Sequence, residues 1–448
     1  MTVPLHNEKR QKKHNKMLNY SKKITFLLAI VLTVSAAIAQ TADSTASIMH
    51  RNRLSVGTYG EAVYRYNFYS DNPFRYSKAN SYKDSKGHGM VDIPHAVINL
   101  GYDFGRGWSF GSEIEFEHGG TEAAIEVEAE ESGEFEKEIE RGGEVAIEQF
   151  WVQKSFGPWL NVRAGHVVVP VGATNNAHEP NNFFGVYRPE GENTIMPCTW
   201  HETGVELWGR AGDWRYDLLL LPALNSSYFT TSGWAHDASA SPYEYRVANN
   251  LAVAARVDNY SLMGLRIGVS GYIGRTFYND IVTDEQSRYA SVKGLVAIGA
   301  IDFSYRHRGL TLRGNADIGT LGDTKEISSF NQRLSHSNNS PYPRDMVGKQ
   351  AYAIGIEAGY NVLQHATGVM KGKRLDIFAR YDRYDSFVPA SELSDVQWAE
   401  RNCVSGGINF RPIPQIIVKA EGGIRLLAEQ YNNEPWVALG ITWAAMFD

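Results

Sequence analysis

Asp92 to Glu117 reads DIPHAVINLGYDFGRGWSFGSEIEFE. Successive side chains of a strand point to opposite faces, so alternate residues share a surface. Pro94, Ala96, Ile98, Leu100, Tyr102 and Phe104 then form one apolar face, and His95, Asn99, Gly101 and Asp103 form the other. Gly105-Arg106-Gly107 supplies a tight turn. On the return, Trp108, Phe110, Ile114 and Phe116 oppose Ser109, Glu113, Glu115 and Glu117. A row of carboxylates is a poor core for a soluble sandwich, because each buried charge needs a partner. The apolar face therefore meets something other than a protein interior, and the charged face meets water.

The pattern recurs to the C-terminus. Leu251, Val253, Ala255 and Val257 oppose Asn250 and Arg256; Leu310, Leu312, Ala316 and Ile318 oppose Arg313, Asn315 and Asp317; Tyr352, Ile354, Ile356 and Tyr360 oppose Glu357 and Asn361. Val437, Leu439, Ile441, Trp443 and Phe447 back a small face of Ala438, Gly440, Thr442 and Ala444. Roughly sixteen segments of this kind can be counted, within the range of membrane barrels. Their connections alternate in length. Short turns fall at Gly105–Gly107, Gly157-Pro158, Ala211–Asp213, Asp258–Tyr260, Arg308-Gly309 and Arg411–Pro414. Long loops fall at Asn67–Met90, Glu122–Glu144, Pro170–Glu202, Asn225–Val247, Phe277–Val292 and Thr320–Gly348. Leu363–Lys373 is long for the short side. The expected fold is all-β: a transmembrane antiparallel β-barrel of about 16 strands, with short periplasmic turns and long extracellular loops. Closure removes the edges that hydrocarbon would leave unpaired. Trp108, Tyr360, Trp398 and Trp443, near strand ends, are expected at the membrane interfaces.

The N-terminal residues set the compartment. Lys9, Arg10, Lys12, Lys13, Lys16, Lys22 and Lys23 precede an apolar run from Ile24 to Ala39 that closes on Ala37-Ile38-Ala39. That order is a secretory signal peptide, too short to span a bilayer. The expected organisation is a signal peptide over 1–39, a periplasmic lead-in over 40–52 and an outer-membrane barrel over 53–448. Losing residues 1–39 removes seven basic residues and one acid, and moves the net charge from −6 to −12. Cys198 and Cys403 permit one disulfide or two separate thiols.

The third long loop is unusual. Val162 to Gly204 reads VRAGHVVVPVGATNNAHEPNNFFGVYRPEGENTIMPCTWHETG. It is too rich in Phe, Tyr, Trp and Ile for disorder, so it is read as a loop packed inside something. Val162-Arg163-Ala164-Gly165-His166, Pro170-Val171-Gly172, Arg188-Pro189, Pro197 and Trp200-His201-Glu202-Thr203-Gly204 resemble the phosphate-selective porin O and P family. The resemblance implies a sixteen-stranded trimeric barrel whose third loop is folded into the lumen and narrows it. The ending Trp443 to Phe447 resembles an aromatic barrel-assembly signal, although Asp448 follows. The family's specificity is associated with clusters of lumen Arg and Lys, which have no residue-by-residue match here.

The candidate constriction comprises His178, Glu179, Asn181, Asn182, Arg188, Glu190, Glu192 and Trp200, with Phe183 and Phe184 as apolar pins. A loop making subunit contacts is the alternative. Neither His178-Glu179 nor His201-Glu202 has a second pair at i+4 on a helix, so no metal is assigned, and no cofactor is expected. Expected lumen-lining cations are Arg163, Arg215, Arg256, Arg266, Arg306, Arg313, Arg380, Arg401, Lys419 and Arg425. Expected lumen anions are Asp103, Glu113, Glu115, Glu117, Asp217, Asp302, Asp317, Glu357, Asp376, Asp382 and Glu421. The near balance argues against a strongly anion-selective ladder. Glu113, Glu115 and Glu117 facing Arg306 and Arg313 across the lumen would set up a transverse field. Ion pairing between wall neighbours is the competing expectation.

Between Glu122 and Glu148, eleven Glu face only Lys137 and Arg141, a net of −9. A hairpin is expected there. It would be a subunit latch, a divalent-cation bridge to lipopolysaccharide, or simply a solvated charge run. No G-x-S-x-G, H-E-x-x-H or G-x-x-x-x-G-K-[ST] occurs, so no enzyme is expected. No basic stripe with interleaved aromatics points to nucleic acid. The expected partners are outer-membrane lipid and lipopolysaccharide, two further copies in a homotrimer, and small polar solutes or anions. The expected function is a porin, a passive channel for small hydrophilic solutes or ions such as phosphate. The alternative is a surface receptor or adhesin acting through its loops.

Overall fold

The computed structural model describes residues 53–119, 123–129, 135–141, 144–241, 245–281, 284–335, 346–391 and 393–447. The expected signal peptide and lead-in lie outside them. The strands run β1 (Leu54–Asn67), β2 (His88–Asp92), β3 (His95–Gly105), β4 (Trp108–Glu117), β5 (Ala123–Ala129), β6 (Phe135–Arg141), β7 (Glu144–Gly157), β8 (Leu160–Val168), β9 (His201–Ala211) and β10 (Trp214–Pro222). They continue as β11 (Leu251–Asn259), β12 (Leu265–Arg275), β13 (Leu295–His307), β14 (Leu310–Leu321), β15 (Gln350–Asn361), β16 (Arg374–Val388), β17 (Glu400–Ile413), β18 (Ile416–Leu426) and β19 (Glu434–Phe447).

All but β2, β5 and β6 join one antiparallel barrel of sixteen strands. Closure comes from β1, which pairs with β19 from Val56↔Phe447 to Asn67↔Trp436 and with β3 from Leu54↔Tyr102 to Gly60↔Ala96. β2 extends the line of β3 beyond Ile93-Pro94 and pairs only with the far end of β1. A proline has no N–H for a ladder, which fits a break at that point. β5 and β6 form the separate hairpin expected in the second loop, in register from Ala123↔Arg141 to Ala129↔Phe135.

Loop lengths sort by side. Two residues join β3 to β4, β7 to β8, β9 to β10, β13 to β14 and β17 to β18. Arg308 and Gly309 have φ of 45° and 81°, the positive pair that a two-residue hairpin turn of right-twisted strands demands. The β15–β16 connection is the long exception and carries a 3-10 turn at Gly368–Met370. On the other side run the long loops, with two shorter ones closing β16–β17 and β18–β19.

The alternation fixes which face meets lipid. Ile98 is 42 % exposed and Ile354 52 %, while their inward neighbours Val97 and Ala353 are at 1 % and 0 %. Phe104, Trp108, Phe156, Trp159, Trp214 and Tyr360 are exposed near the short-turn ends, as an interfacial girdle requires. Trp398 is not part of one. It stacks on Tyr76 in the loops, with ring centroids 4.8 Å apart.

The inner face is less uniformly polar than the alternation suggests. Leu218-Leu219-Leu220-Leu221 in β10 is apolar on both sides. Leu218 and Leu220 are exposed on the outside, whereas Leu219 and Leu221 are buried inside with Phe229 and Trp234 of the following loop. Phe277, Ile327 and Phe330 complete this apolar packing. A Cβ on Gly319 would lie 2.1 Å from the Trp234 ring, so only glycine lets that ring reach the wall.

The lipid-facing assignment has a direct check. Ile356→Arg should destabilise the inserted barrel by about 2–4 kcal/mol, the range for a cation near the bilayer midplane. It would be read as a lower unfolding transition by heat-modifiable gel migration in lipid.

Candidate constriction inside the barrel

The loop between β8 and β9 runs from Val169 to Trp200 and turns into the barrel. Irregular backbone leaves N–H and C=O groups without ladder partners, so side chains must supply them. At its start, Gly172 N–H donates to Ser270 Oγ of β12 at 3.0 Å, and Gly172 O accepts from Arg256 of β11 at 2.9 Å. The loop's helix, Glu190–Ile195, turns Glu192 back so that its carboxylate accepts Ala173 N–H at 2.9 Å and Thr174 N–H at 2.8 Å. Burial pushes the Glu192 carboxyl up to about 7, against the pull of those two donors. Asn175 Oδ1 accepts Trp200 N–H at 2.9 Å and ties the loop's two ends together.

The far side of the loop is held by β17 and β18. Lys419 Nζ donates to the carbonyls of Pro180, Phe183 and Gly185 at 2.6, 3.1 and 2.8 Å. Lys419 is 1 % exposed, so three fixed carbonyls replace its hydration. Asn409 donates to Phe184 O at 3.0 Å, and Glu421 accepts Val186 N–H at 2.8 Å. The Phe184 ring stacks on Phe378 at 5.4 Å, over Gly359, where a Cβ would lie 2.3 Å from it.

The expected constriction residues separate into groups. Asn181 and Asn182 line a cavity of about 350 Å³ near the short-turn end, with Arg306, Arg313, Arg374 and Arg411. Asn182 also borders a second cavity of about 190 Å³, which shares Arg306 and Arg313 with the first. Arg188 and Glu190 border a narrow space of about 40 Å³, which shares Pro189, Glu357 and Arg380 with the second. Glu179 lies close to Asn182. Three of them turn elsewhere. His178 is buried against the wall, Glu192 is consumed in capping its own loop, and Trp200 packs on Tyr272 with ring centroids 4.9 Å apart. None of the three lines these cavities. All were placed by the composition of the loop, which does not say which side chains point back into it.

The lumen-lining set also divides. Most of its cations pair with wall neighbours. Arg163 meets Glu206 at 3.0 Å, Arg256 meets Asp258 and Asp302 at 2.8 and 2.9 Å, and Arg380 meets Asp382 at 2.6 Å. Arg266 bonds Asp258 and Asp302, and Arg425 bonds Glu190 and Glu434. Arg313 meets Glu357 at 2.8 Å and lies over the Phe184 ring. Arg306 has no acidic partner among the described residues and is exposed to the cavity. On the opposite wall Glu113 and Glu115 are buried and Glu117 is half-buried, so the expected row of lumen anions is largely covered. Arg411, read from the sequence only as part of a turn, and Arg374, which the sequence does not single out, join Arg306 and Arg313 because the turns bring strand ends to one rim. Cys198 and Cys403 are both free thiols.

No protein-family model matches the chain. A protein of Aquifex aeolicus (strain VF5), described as uncharacterized, is 24 % identical over 397 residues, which cover 87 % of this chain and 79 % of the relative. Among solved structures, Salmonella typhi OmpF in complex with daunomycin superposes with a TM-score of 0.50 at 12 % identity, over 87 % of this chain and 97 % of that one. An anion-selective porin from Comamonas acidovorans gives 0.49 at 11 % identity, over 88 % and 99 %. The outer membrane channel DcaP of Acinetobacter baumannii gives 0.49 at 12 % identity, over 90 % and 100 %. The fold is that of outer-membrane porins, and the chain is an integral outer-membrane β-barrel.

Lys419 gives this site its test. Lys419→Met keeps the stem but strands three carbonyls, at a cost of about 3 kcal/mol to loop docking. The barrel should still migrate as a folded species on gels. Protease should cut between Pro180 and Tyr187 faster than in the parent protein, and single-channel current should become noisier.

Proposed function

We propose that this protein is a passive outer-membrane channel for small hydrophilic solutes with a preference for anions of about phosphate size. The observation that carries the reading is the unequal cover of opposite charges. Arg306, Arg313, Arg374 and Arg411 surround the largest of the three cavities, with Glu357 and Asp376 as the neighbouring carboxylates. Glu113, Glu115 and Glu148 lie buried on the other side of the loop. Four guanidiniums against two carboxylates leave a positive field in the water that a solute crosses, and low-dielectric walls focus it. A guanidinium also presents paired donors that suit phosphate or carboxylate oxygens. The three cavities share lining residues in sequence, which supports a route past the loop. Buried acids facing bases that reach the cavity weigh against the near-neutral lumen with a transverse field that the residue counts suggested. A homotrimer remains the proposed assembly, on the resemblance in the third loop.

Planar-bilayer recording tests this reading. The parent protein should show stable conductance and a reversal potential on the anion-selective side. Arg306→Ala with Arg411→Ala removes two cations that have no carboxylate ion-pair partner among the described residues, so no acid there is orphaned. The anion-to-cation permeability ratio should fall by about threefold or more. An unchanged ratio defeats the anion reading. A silent bilayer with folded protein favours a receptor that works through its loops.

A further inference from the structure

We infer that Glu113, Glu148 and His178 form a binding site for one divalent first-row transition ion, such as Zn2+ or Mn2+, between the barrel wall and the third loop. The site begins with a β-bulge. In the β4–β7 pairing Glu113 faces Gln149, but Ile114 faces Ile147, so Glu148 is an extra residue without an opposite number. Ile147 points outward at 51 % exposure, whereas Glu148 is fully buried at 0 %. An extra residue re-aims a side chain in this way, and here it sets a second carboxylate beside Glu113. His178 arrives from the loop. Its Nε2 lies 3.8 Å from both Glu113 Oε1 and Glu148 Oε2. The three donor atoms lie within 4.8 Å of one another.

The imidazole is oriented as a ligand. His178 Nδ1 lies 2.8 Å from the carbonyl oxygen of Asn175. A carbonyl only accepts, so Nδ1 carries the proton and Nε2 of the neutral ring offers a lone pair. That second bond is the kind of support that fixes a metal-binding histidine. Among the described residues Nε2 is buried without a hydrogen-bond partner, in a residue only 7 % exposed, and so is Glu148 Oε1. A lone pair facing two carboxylates across 3.8 Å is repulsive unless a proton or a metal cation stands between them. Glu113 is held by Gln149, and Glu148 by the Tyr59 hydroxyl at 3.3 Å. Two carboxylates match the charge of a divalent ion, and one imidazole favours a transition metal over Ca2+ or Mg2+. Donors bound to a tetrahedral ion at ~2.0–2.1 Å stand ~3.3–3.4 Å apart, so binding draws His178 inward by about half an ångström at each contact and brings the two carboxylates closer together as well. The ion would tie the loop to the acidic wall, a second tether beside the one at Lys419.

The test uses the full-length protein folded in detergent, stripped with EDTA, loaded with Zn2+ or Mn2+ and desalted before metal analysis. About one ion per chain is expected in the parent and almost none in Glu148→Gln or His178→Gln. Glu136→Gln with Glu138→Gln, in the acidic second loop, should not change the count. An ion that persists in Glu148→Gln and His178→Gln is an adventitious ion only and overturns the site. No ion in the parent overturns it too, leaving a protonated His178 between two carboxylates. Should either variant fail to fold, pulsed EPR of the Mn2+-loaded parent still decides. Coupling to one imidazole nitrogen is expected, and its absence refutes the site. The result does not depend on ion selectivity, so the channel reading stands or falls separately.

Discussion

Unpaired backbone is the constraint that shapes this molecule twice over. In hydrocarbon no water can take up an N–H or C=O, so the sheet must close, and β1 closes it by pairing on both sides. Inside the barrel the same problem returns with the third loop. Its irregular chain cannot use a ladder. The wall answers with side chains: Lys419 for three carbonyls, Asn409 for a fourth, Glu421 and Ser270 for N–H groups. Lys419 and Glu421 read as lumen charges in the sequence. Both are the loop's missing hydrogen-bond partners.

Charge follows from that packing. A barrel of this width cannot leave every inward Arg and Asp in water once loops fill part of it. Where Arg256, Asp258, Asp302 and Arg266 meet, each charge has an opposite within reach and the group reads as structure. Such pairs are costly to break because the survivor is left buried and alone. Function is therefore sought where pairing stops, at Arg306 and its neighbours near the short-turn rim. A count of lumen charges misses this, since it weighs a covered Glu113 and an exposed Arg306 alike.

The strands and the sorting of loops were legible because both rest on local rules. Alternation in Asp92–Glu117 fixed the faces of β3 and β4, and turn residues such as Arg308-Gly309 fixed where the chain reverses. The hairpin in the acidic second loop was legible for the same reason. The interior was not. Leu218–Leu221 breaks alternation because both of its faces are covered, one by lipid and one by Trp234 and Phe229. Trp200 and Glu192 looked like pore residues, yet one packs its ring on Tyr272 of the wall and the other caps its own loop. Which way a loop side chain turns depends on partners far away in sequence, and spacing carries no trace of them.

The bulge at Glu148 shows how far such a hidden feature reaches. Without it, β7 would keep strict alternation beyond Gln149, and Glu148 would point at lipid on the face of Phe150 and Val152. An unpaired carboxylate there is among the least tolerable arrangements in a membrane barrel. One extra residue turns it inward, where Tyr59 and the third loop already wait. The same residue that relieves the lipid face then concentrates negative charge under His178. The loop is thus held at one wall by a lysine that needs its carbonyls and at another by carboxylates that need a cation. Its position in the lumen is set by those two demands rather than by its own conformation.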